Sequence, residues 1–188
     1  MGFEFQPLAI PEVVLVTPQR FGDDRGMFME TFKASAFTEH GIGPFVQDNH
    51  SVSVRGVLRG LHYQLNPQAQ GKLVRCPIGK IWDVAVDIRQ GSPSFGQWVA
   101  ATLDDERLQM LWVPEGFAHG FVVLSDTAHV LYKTTREYVA ELDRGMAYDD
   151  PALGIDWPVA EPVLSDKDKR QPRLAEATHN FTVGSALV

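Results

Sequence analysis

Residues 81–88 read IWDVAVDI, and this stretch shows the alternation that assigns residues to the two faces of a β-strand. Side chains alternate between faces along a strand, with a period of two residues. One face is therefore wholly apolar, and the other carries two carboxylates. The first face comprises Trp82, Val84, Val86 and Ile88, and the second comprises Ile81, Asp83, Ala85 and Asp87.

Working outward, nine further short stretches have strand character, while 16 glycines and 12 prolines are spread along the whole chain. Such frequent turn residues are typical of many short strands. Ten short strands with few helices indicate an all-β, antiparallel jelly-roll barrel or sandwich. They are Glu12–Thr17, Met27–Phe32, Phe45–Ser53, Val57–Gln64, Lys72–Cys76, Lys80–Ile88, Gln97–Leu103, Gln109–Val113, Gly120–Leu124 and His129–Thr135.

Few segments have helical character, and those expected are short. Ser35–His40 precedes a glycine that suits a helix C-cap. Ser165–Asp168 has the pattern of a capping box that opens a helical turn near the C-terminus. The tripeptide Pro77-Ile78-Gly79 is predicted to turn a hairpin between its two flanking strands. With 188 residues, a single domain over 1–188 is expected, with residues 175–188 as a C-terminal tail.

Charge and cysteine content exclude several classes of protein. Lys and Arg number 17 against 24 Asp and Glu, a net charge of −7, so neither nucleic acid nor an acidic membrane is an expected partner. The distribution is uneven, because Asn49–Trp82 contains no acidic residue and five basic ones. One cysteine, no apolar run of about 18 residues and no visible signal peptide indicate a cytoplasmic protein.

Two of the six histidines stand out as candidates for proton transfer near neutral pH. His62 lies in VLRGLHYQ and His119 in VPEGFAHGFVVL, both strand-like and glycine-containing. Each could instead satisfy a hydrogen bond in the core. Arg59 and Lys72 flank His62, and cations in a barrel interior need an anionic partner, which a phosphate-bearing substrate would supply.

Several motifs resemble those of one family. VPEGFAHGF contains the Pro-x-Gly-x-x-His pattern of the second cupin motif. Together with VLRGLHYQ, FVQDNHSVS, QGKLVRC, LYKTT and LSDKD, it makes the chain similar to the dTDP-4-dehydrorhamnose 3,5-epimerase family. The matching stretches run in family order from Phe21 to Asp168. The resemblance implies a cupin-type jelly roll that epimerises a dTDP-4-keto-6-deoxy sugar.

The first cupin motif lacks residues that metal-binding cupins use as metal ligands. Metal-binding cupins place two histidines one residue apart, followed by a glutamate. The corresponding residues here are His62-Tyr63-Gln64, and no acidic residue follows before Asp83. No metal and no other cofactor is therefore expected, which leaves His62 available for acid–base chemistry.

The resemblance also implies catalytic roles. Inverting a carbon next to a ketone needs a base, an acid on the opposite face and stabilisation of the enolate. His62 is implied as the base, Asp168 as its carboxylate partner and Tyr132 as the acid, with Lys72 beside the enolate oxygen. From the residues alone, Asp168 would belong to the capping box, Tyr132 would be an ordinary strand aromatic and Lys72 a solvated strand-end lysine.

Substrate-binding residues follow from the same resemblance. Positions near the sugar diphosphate or nucleotide are Arg25, Glu30, Gln47, Asn49, Arg59, His119 and Tyr138, and Asp83 is a carboxylate that orients His119. In the family the segment around Arg25 reaches into the neighbouring subunit's site, which implies a homodimer with composite sites. Phe28 is expected either to pack on thymine or to lie in the core.

Strict alternation places Arg59 and His62 on opposite faces of their strand. Both can line one pocket only if the strand is irregular. We therefore expect a bulge or twist at Gly60.

Three alternatives to double inversion stay open at this stage. Arg136–Ala140 and Tyr148–Asp150 depart from the family pattern, so the enzyme could invert only C3 or only C5. A metal-dependent cupin enzyme and a non-catalytic nucleotide-sugar-binding cupin are the other two. Double inversion is favoured because the motif combination is specific.

Overall fold

The computed structural model describes residues 2–183, and in them strands predominate. The only α-helix in this part of the chain is α1, and Ala140–Leu142 and Asp168–Arg170 form 3-10 turns. The elements in chain order are β1 (Phe3–Pro7), β2 (Val14–Pro18), β3 (Arg20–Asp23), β4 (Gly26–Met29), α1 (Ala34–Thr38), β5 (Gln47–Val54), β6 (Leu58–Gln64), β7 (Lys72–Ile78), β8 (Lys80–Asp87), β9 (Trp98–Asp104), β10 (Met110–Val113), β11 (Phe117–Val123), β12 (Thr127–Thr134) and β13 (Asp143–Gly145).

Two antiparallel sheets face each other and enclose the core. One has six strands in the order β1-β2-β10-β7-β12-β5, and the other has five in the order β13-β6-β11-β8-β9. Strands β3 and β4 pair only with each other and form a separate hairpin, which we call the arm. The predicted jelly roll is confirmed. All ten predicted strands are present, whereas the short strands β1, β3 and β13 were not predicted.

Strand β8 shows the alternation that its sequence predicts. Ile81 and Ala85 lie in the cluster between the two sheets, together with side chains from β7, β11 and β12. Val84 and Val86 lie in a second cluster, on the outer side of the five-stranded sheet. Both faces of β8 are thus buried, and the alternation turns Asp83 and Asp87 to the same side as Ile81 and Ala85.

The hairpin expected at Pro77-Ile78-Gly79 is wrong. Strand β7 pairs with β10 and β12, and β8 pairs with β9 and β11, so this turn carries the chain from one sheet to the other. Gly79 has a φ of +84° and its Cα approaches the backbone of Thr127. The turn chemistry was correctly identified, but a local turn does not dictate which strands pair across it.

The irregularity expected at Gly60 is confirmed. His119 pairs with His62 and Phe121 pairs with Arg59, so three steps along β6 match two steps along β11. Gly60 has a φ of +146°, and a Cβ there would lie 2.5 Å from the Cα of Gly120. A bulge places an extra residue in one strand and changes which face the following residues occupy. Arg59 and His62 therefore share the inward face.

The C-terminal segment is held against the five-stranded sheet. The hydroxyl of Tyr63 donates a hydrogen bond to the carbonyl of Thr178, at 2.8 Å, and Gln90 forms a β-bridge with Thr182. The predicted tail therefore packs on the body as far as it is described, and residues 184–188 lie outside the described chain. Among residues 2–183, no helix is both long and apolar enough to span a membrane.

Replacing Gly60 by alanine should destabilise the protein strongly. The new methyl group would meet the Gly120 backbone and adopt a disfavoured φ, at a combined cost of about 3 kcal/mol or more. Gly91→Ala is the matched control, because its φ is +80° but no atom lies within 4 Å of the added Cβ. The control should lose only about 1 kcal/mol. Urea denaturation measures both variants, and equal losses would contradict the close-approach argument.

Candidate active site

The candidate site lies inside the barrel, where the edge strand β5 of one sheet faces β6 of the other. Arg59 of β6 donates through Nε to the hydroxyl of Ser53 on β5, at 3.1 Å, and so links the two sheets at this edge. Inward-facing side chains of β5 alternate with exposed ones along the strand. The bulge brings His62 to the same side as Arg59.

His62 and Asp168 form a close pair. Nε2 of His62 lies 2.5 Å from Oδ1 of Asp168, and the Asp168 side chain is only 4% exposed. The two residues are 106 positions apart in sequence, and Asp168 begins the last 3-10 turn. This contact fixes the ring, and it leaves the other ring nitrogen free to accept a proton from a substrate.

Asp168 also belongs to the predicted capping box, so its carboxylate contacts both His62 and Ser165. The hydroxyl of Ser165 donates to Oδ2 of Asp168, at 2.8 Å, and accepts from the Asp168 backbone N–H, at 3.1 Å. Burial raises the pKa of the carboxyl, but the hydrogen bond and charge of His62, with Ser165 and Lys167, bring the pKa below its ordinary value. Asp168 is thus held as a carboxylate that serves His62.

His119 and Asp83 form a second pair on neighbouring strands of the same sheet. Nε2 of His119 lies 2.9 Å from Oδ1 and 3.1 Å from Oδ2 of Asp83, and the Asp83 side chain is fully buried. His119 pairs directly with His62 across β11 and β6. The predicted orientation of His119 by Asp83 agrees with this geometry.

Lys72 brings a cation into the barrel from the opposite sheet. It is buried, and its Nζ donates to the backbone carbonyl of His62, at 3.3 Å. Burial lowers its pKa to about 8, although the carboxylates of Asp143 and Asp83 oppose that shift. The interpretation of Lys72 as a solvated strand-end lysine is therefore wrong. At neutral pH an ammonium group is available next to His62.

Tyr132 lies on β12, in the sheet opposite His62. It pairs with Asn49 of β5 and packs against the core between the sheets. Burial raises the pKa of its hydroxyl, with Arg59 opposing and Asp143 reinforcing the shift. The phenol therefore stays protonated at neutral pH, as a general acid must.

Polar groups also line the outer end of the site. Gln47 donates to Asn49 through its side-chain amide, at 3.0 Å, and accepts from the backbone N–H of Tyr138, at 2.9 Å. The Tyr138 hydroxyl donates to Oδ2 of Asp143, at 3.1 Å, and Lys167 forms an ion pair with the same oxygen. Sequence reasoning placed Tyr138 here but missed Asp143 and Lys167. Lys167 stands beside Asp168 in the LSDKD motif, which was the available signal.

The structure does not bring Arg25 and Glu30 to this site. Arg25 lies at the exposed tip of the arm, and the ion pair described for it in residues 2–183 is with Asp23, two residues away. Glu30 follows β4, and its Oε2 is buried without a partner. Phe28, for which the core was one expectation, is 61% exposed on the arm. Among residues 2–183, no contact between the arm and the catalytic candidates is described, and β3 and β4 form a sheet of their own.

No group of three or more His, Cys, Asp or Glu side chains in the described part of the chain is arranged to hold a metal ion. His62 and His119 are each paired with their own carboxylate. The arrangement can abstract and return protons, and it presents cations and hydrogen-bond donors to an anionic substrate.

Comparison with known proteins gives a consistent result. The sequence profile of the family described as dTDP-4-dehydrorhamnose 3,5-epimerase matches residues 7–176. A protein of that name from Pseudomonas aeruginosa is 55% identical over 174 residues, covering 90% of this chain and 95% of the relative.

Two solved structures are also similar. The dTDP-6-deoxy-D-glucose-3,5-epimerase of Legionella pneumophila, in complex with dTDP-4-keto-L-rhamnose, has a TM-score of 0.90 at 47% identity, with 93% of this chain and 94% of that chain covered. A 3'-monoepimerase from Streptomyces bikiniensis, in complex with dTDP-quinovose, has a TM-score of 0.86 at 37% identity, covering 90% and 87%.

Replacing Lys72 by methionine should stabilise the protein at pH 7. The pKa of Lys72 is about 8 in the folded state, below its ordinary value of 10.5, so at pH values between the two the unfolded chain binds one more proton than the folded chain. The free energy of unfolding of the wild type therefore rises with pH across that window. Lys72→Met should gain about 1–3 kcal/mol at pH 7, and the gain should shrink as pH rises through 8 to 10.

Urea denaturation at pH 7, 8.5 and 9.5 measures this gain. Lys169→Met is the control, because its side chain is 58% exposed and should change stability little at any pH. A Lys72→Met variant that is less stable than the wild type at pH 7 would contradict the cost assigned to the buried ammonium.

Proposed function

The chain belongs to the dTDP-4-dehydrorhamnose 3,5-epimerase family of isomerases, and on that premise we propose that it inverts both C3 and C5 of a dTDP-4-keto-6-deoxyhexose without a cofactor. The reaction would be a step in the synthesis of dTDP-deoxysugars such as dTDP-rhamnose. The observation that carries the proposal is the His62–Asp168 pair, with the Lys72 ammonium on the backbone carbonyl of His62. Tyr132 comes from the opposite sheet and packs against the core between the two sheets.

The first step is removal of a proton by His62. The C4 ketone makes the hydrogens on C3 and C5 acidic. The second ring nitrogen of His62 takes the proton. The C–H electron pair forms a double bond to C4 while the π pair of the C4 carbonyl moves onto its oxygen, which gives the enolate, and Asp168 stabilises the resulting imidazolium. His119, oriented by Asp83, lies beside His62 as a polar contact for the sugar.

The enolate oxygen is stabilised by Lys72, whose ammonium is held in a water-poor interior. A charge in such a surrounding interacts more strongly with a developing anion than it would in water. Tyr132 then donates its phenolic proton to the opposite face of the carbanion carbon, which completes the inversion. Before the next turnover the phenolate takes a proton from solvent and the His62 imidazolium releases its proton to solvent, which regenerates the acid and the base.

Arg59 is assigned to the diphosphate. Its Nε donates a hydrogen bond to the Ser53 hydroxyl, and no other contact of its guanidinium is described among residues 2–183. Its two terminal nitrogens are therefore available to bind an anion. Gln47, Asn49 and Tyr138 are assigned to the remainder of the nucleotide sugar because they continue along the same opening. A guanidinium can bind phosphate oxygens through two parallel hydrogen bonds.

Solvent hydrogen exchange tests the reaction and the two proton-transfer roles. The wild type in heavy water should introduce deuterium at C3 and C5 of dTDP-4-keto-6-deoxyglucose, as observed by NMR. His62→Ala should lower exchange at least a thousandfold, because it removes the base. Tyr132→Phe should retain some exchange and lose inversion.

Each outcome separates the alternatives. Deuterium at one carbon only would indicate a single-centre epimerase, and binding with no deuterium at either carbon would indicate a non-catalytic binding protein. Stoichiometric metal in the active protein would favour a metal-dependent cupin. Full inversion by Tyr132→Phe would remove Tyr132 as the acid.

We further propose that the protein is a homodimer with composite sites and that it acts in the cytoplasm. Arg25 and Glu30 occupy family positions near the nucleotide, yet they lie on an arm that makes no described contact with His62 or Tyr132. The arm exposes Phe21, Met27 and Phe28, which suits a segment buried by a partner. The single cysteine, Cys76, suits a reducing compartment.

Mixing an impaired variant with an inactive one tests the composite site. Arg25→Ala should lower kcat/KM at least tenfold, and His62→Ala should be inactive. If arms are exchanged, a heterodimer of the two contains one fully intact site, so random reassociation of a 1:1 mixture should recover about a quarter of wild-type activity. If each arm serves its own barrel, no activity should be recovered beyond that of the separate variants.

A further inference from the structure

One short segment of the chain crosses between the two sheets beside the candidate site. It leaves the end of β12, in the six-stranded sheet, and reaches β13, in the five-stranded sheet. We call residues 137–139 of this segment the strap. Its middle residue is Tyr138, whose hydroxyl donates to Oδ2 of Asp143, at 3.1 Å. The strap thus carries one of the side chains assigned to the nucleotide sugar.

Little buried apolar surface holds the strap in place. Glu137 and Tyr138 are exposed, and Val139 is half-buried. None of the three lies in an apolar cluster described for residues 2–183. A segment with few apolar contacts opens at a low cost in free energy unless hydrogen bonds hold it. The position of the strap therefore depends on its hydrogen bonds.

Two glutamine side chains, one from each sheet, supply those hydrogen bonds. Gln47, at the start of β5, accepts from the backbone N–H of Tyr138, at 2.9 Å. Gln64, at the end of β6, accepts from the backbone N–H of Val139, at 2.7 Å, and donates to the carbonyl of Glu137, at 3.0 Å. In the described part of the chain, these are the hydrogen bonds that join the strap main chain to the two sheets.

Gln64 binds main-chain atoms alone, whereas Gln47 also contacts a side chain of the site. Gln64 is 3% exposed, and its third hydrogen bond runs from Nε2 to the carbonyl of Gln68, in the loop that follows β6. Gln47 donates to Asn49, and both are assigned to the substrate. A buried amide with its donor and acceptor both in use fixes the groups that it binds, because an unpaired polar group in the interior is costly.

The place of Gln64 in the first cupin motif explains why a polar side chain points this way. Gln64 follows His62 by two residues, where metal-binding cupins place their second histidine. Residues two apart on a strand share a face, so Gln64 lies on the same face of β6 as the proposed base. In this chain that position holds the strap beside the site.

We propose that Gln64 is a positioning residue for substrate binding: it fixes the strap, and through the strap it sets where Tyr138 meets the nucleotide sugar. The inference rests on the proposed function and adds a residue that acts on the substrate through another. A binding group that is in place for only part of the time lowers the apparent affinity by that fraction. A strap in place about a tenth of the time raises KM about tenfold.

The Michaelis constant tests this role. Gln64→Leu removes all three hydrogen bonds and keeps a buried side chain at this position. Its KM for dTDP-4-keto-6-deoxyglucose should rise about tenfold, with kcat changed less than about threefold, because His62 and Lys72 keep their own contacts. NMR of deuterium entry into the sugar measures both constants.

Gln109→Leu is the matched control. Gln109 is a half-buried amide that donates to the hydroxyl of Thr17, at 2.9 Å, between β2 and β10. Its loss removes a side-chain hydrogen bond without touching the strap, so KM should stay within about twofold of the wild-type value.

A double-mutant cycle tests whether Gln64 acts through Tyr138. Tyr138→Ala alone should raise KM about tenfold, and Gln64→Leu should then add less than about twofold. Independent effects would multiply to about a hundredfold, which would contradict the positioning role.

Hydrogen exchange of the full chain, followed by mass spectrometry, reports on the strap itself. Gln64→Leu should speed exchange at least about tenfold in the peptide that contains the strap and less than about twofold in β7 and β11. Gln64→Glu is a second variant of nearly the same shape, which places a carboxylate oxygen against the carbonyls of Glu137 and Gln68. It should give the same local change.

A bound ligand tests the strap in the wild type, without any substitution. The probe is dTDP-glucose, which has no C4 ketone and so offers no acidic hydrogen to His62. At saturation it should slow exchange in the strap at least about fivefold, because a bound nucleotide sugar holds Tyr138 in place.

The inference is overturned if Gln64→Leu keeps the wild-type KM, if its effect multiplies with that of Tyr138→Ala, or if bound dTDP-glucose leaves exchange in the strap unchanged. Any of these results with an active wild type leaves the epimerase activity standing. A wild type that introduces no deuterium into the sugar, but whose strap is slowed by dTDP-glucose, refutes the proposed reaction alone. The dissociation constant of dTDP-glucose then takes the place of KM in the same comparisons.

Discussion

The arrangement of the site depends on the close approach of two strands at glycine. Gly60 and Gly120 lie against each other where β6 and β11 fall out of register, and neither position has room for a side chain. Without that irregularity, Arg59 and His62 would point to opposite faces of the sheet. One backbone contact therefore decides whether Arg59, which we propose binds the diphosphate, and His62, which we propose is the base, can face the same substrate.

Charge inside the barrel is balanced by contacts between distant parts of the chain. The sequence between Asn49 and Trp82 contains no acidic residue, and it supplies the basic residues of the candidate site. The carboxylates arrive from outside that stretch: Asp83 to His119 and Asp168 to His62. The cavity is thus not uniformly positive. The Lys72 ammonium donates to the backbone carbonyl of His62, and no ion pair between Lys72 and a carboxylate is described in residues 2–183.

The same reasoning applies to the outside of the molecule. The six-stranded sheet uses its inner face for the core and half of its outer face for α1 and the N-terminal aromatic residues. The rest of that outer face carries valine, isoleucine and a histidine pair that a monomer would leave in water.

By itself, the sequence determined the strands, the class of fold, the family and the proton-transfer candidates, because period-two alternation, glycine spacing and the paired motifs around His62 and His119 are local in the chain. It also located the irregularity at Gly60. Only the tertiary structure decided that β7 and β8 belong to different sheets, that Asp143 and Lys167 join the site, and that Arg25 stays away from it. The physical reason is that strand pairing and ion pairing depend on which distant segments share a surface, and a local pattern fixes only which side of its own strand a residue occupies.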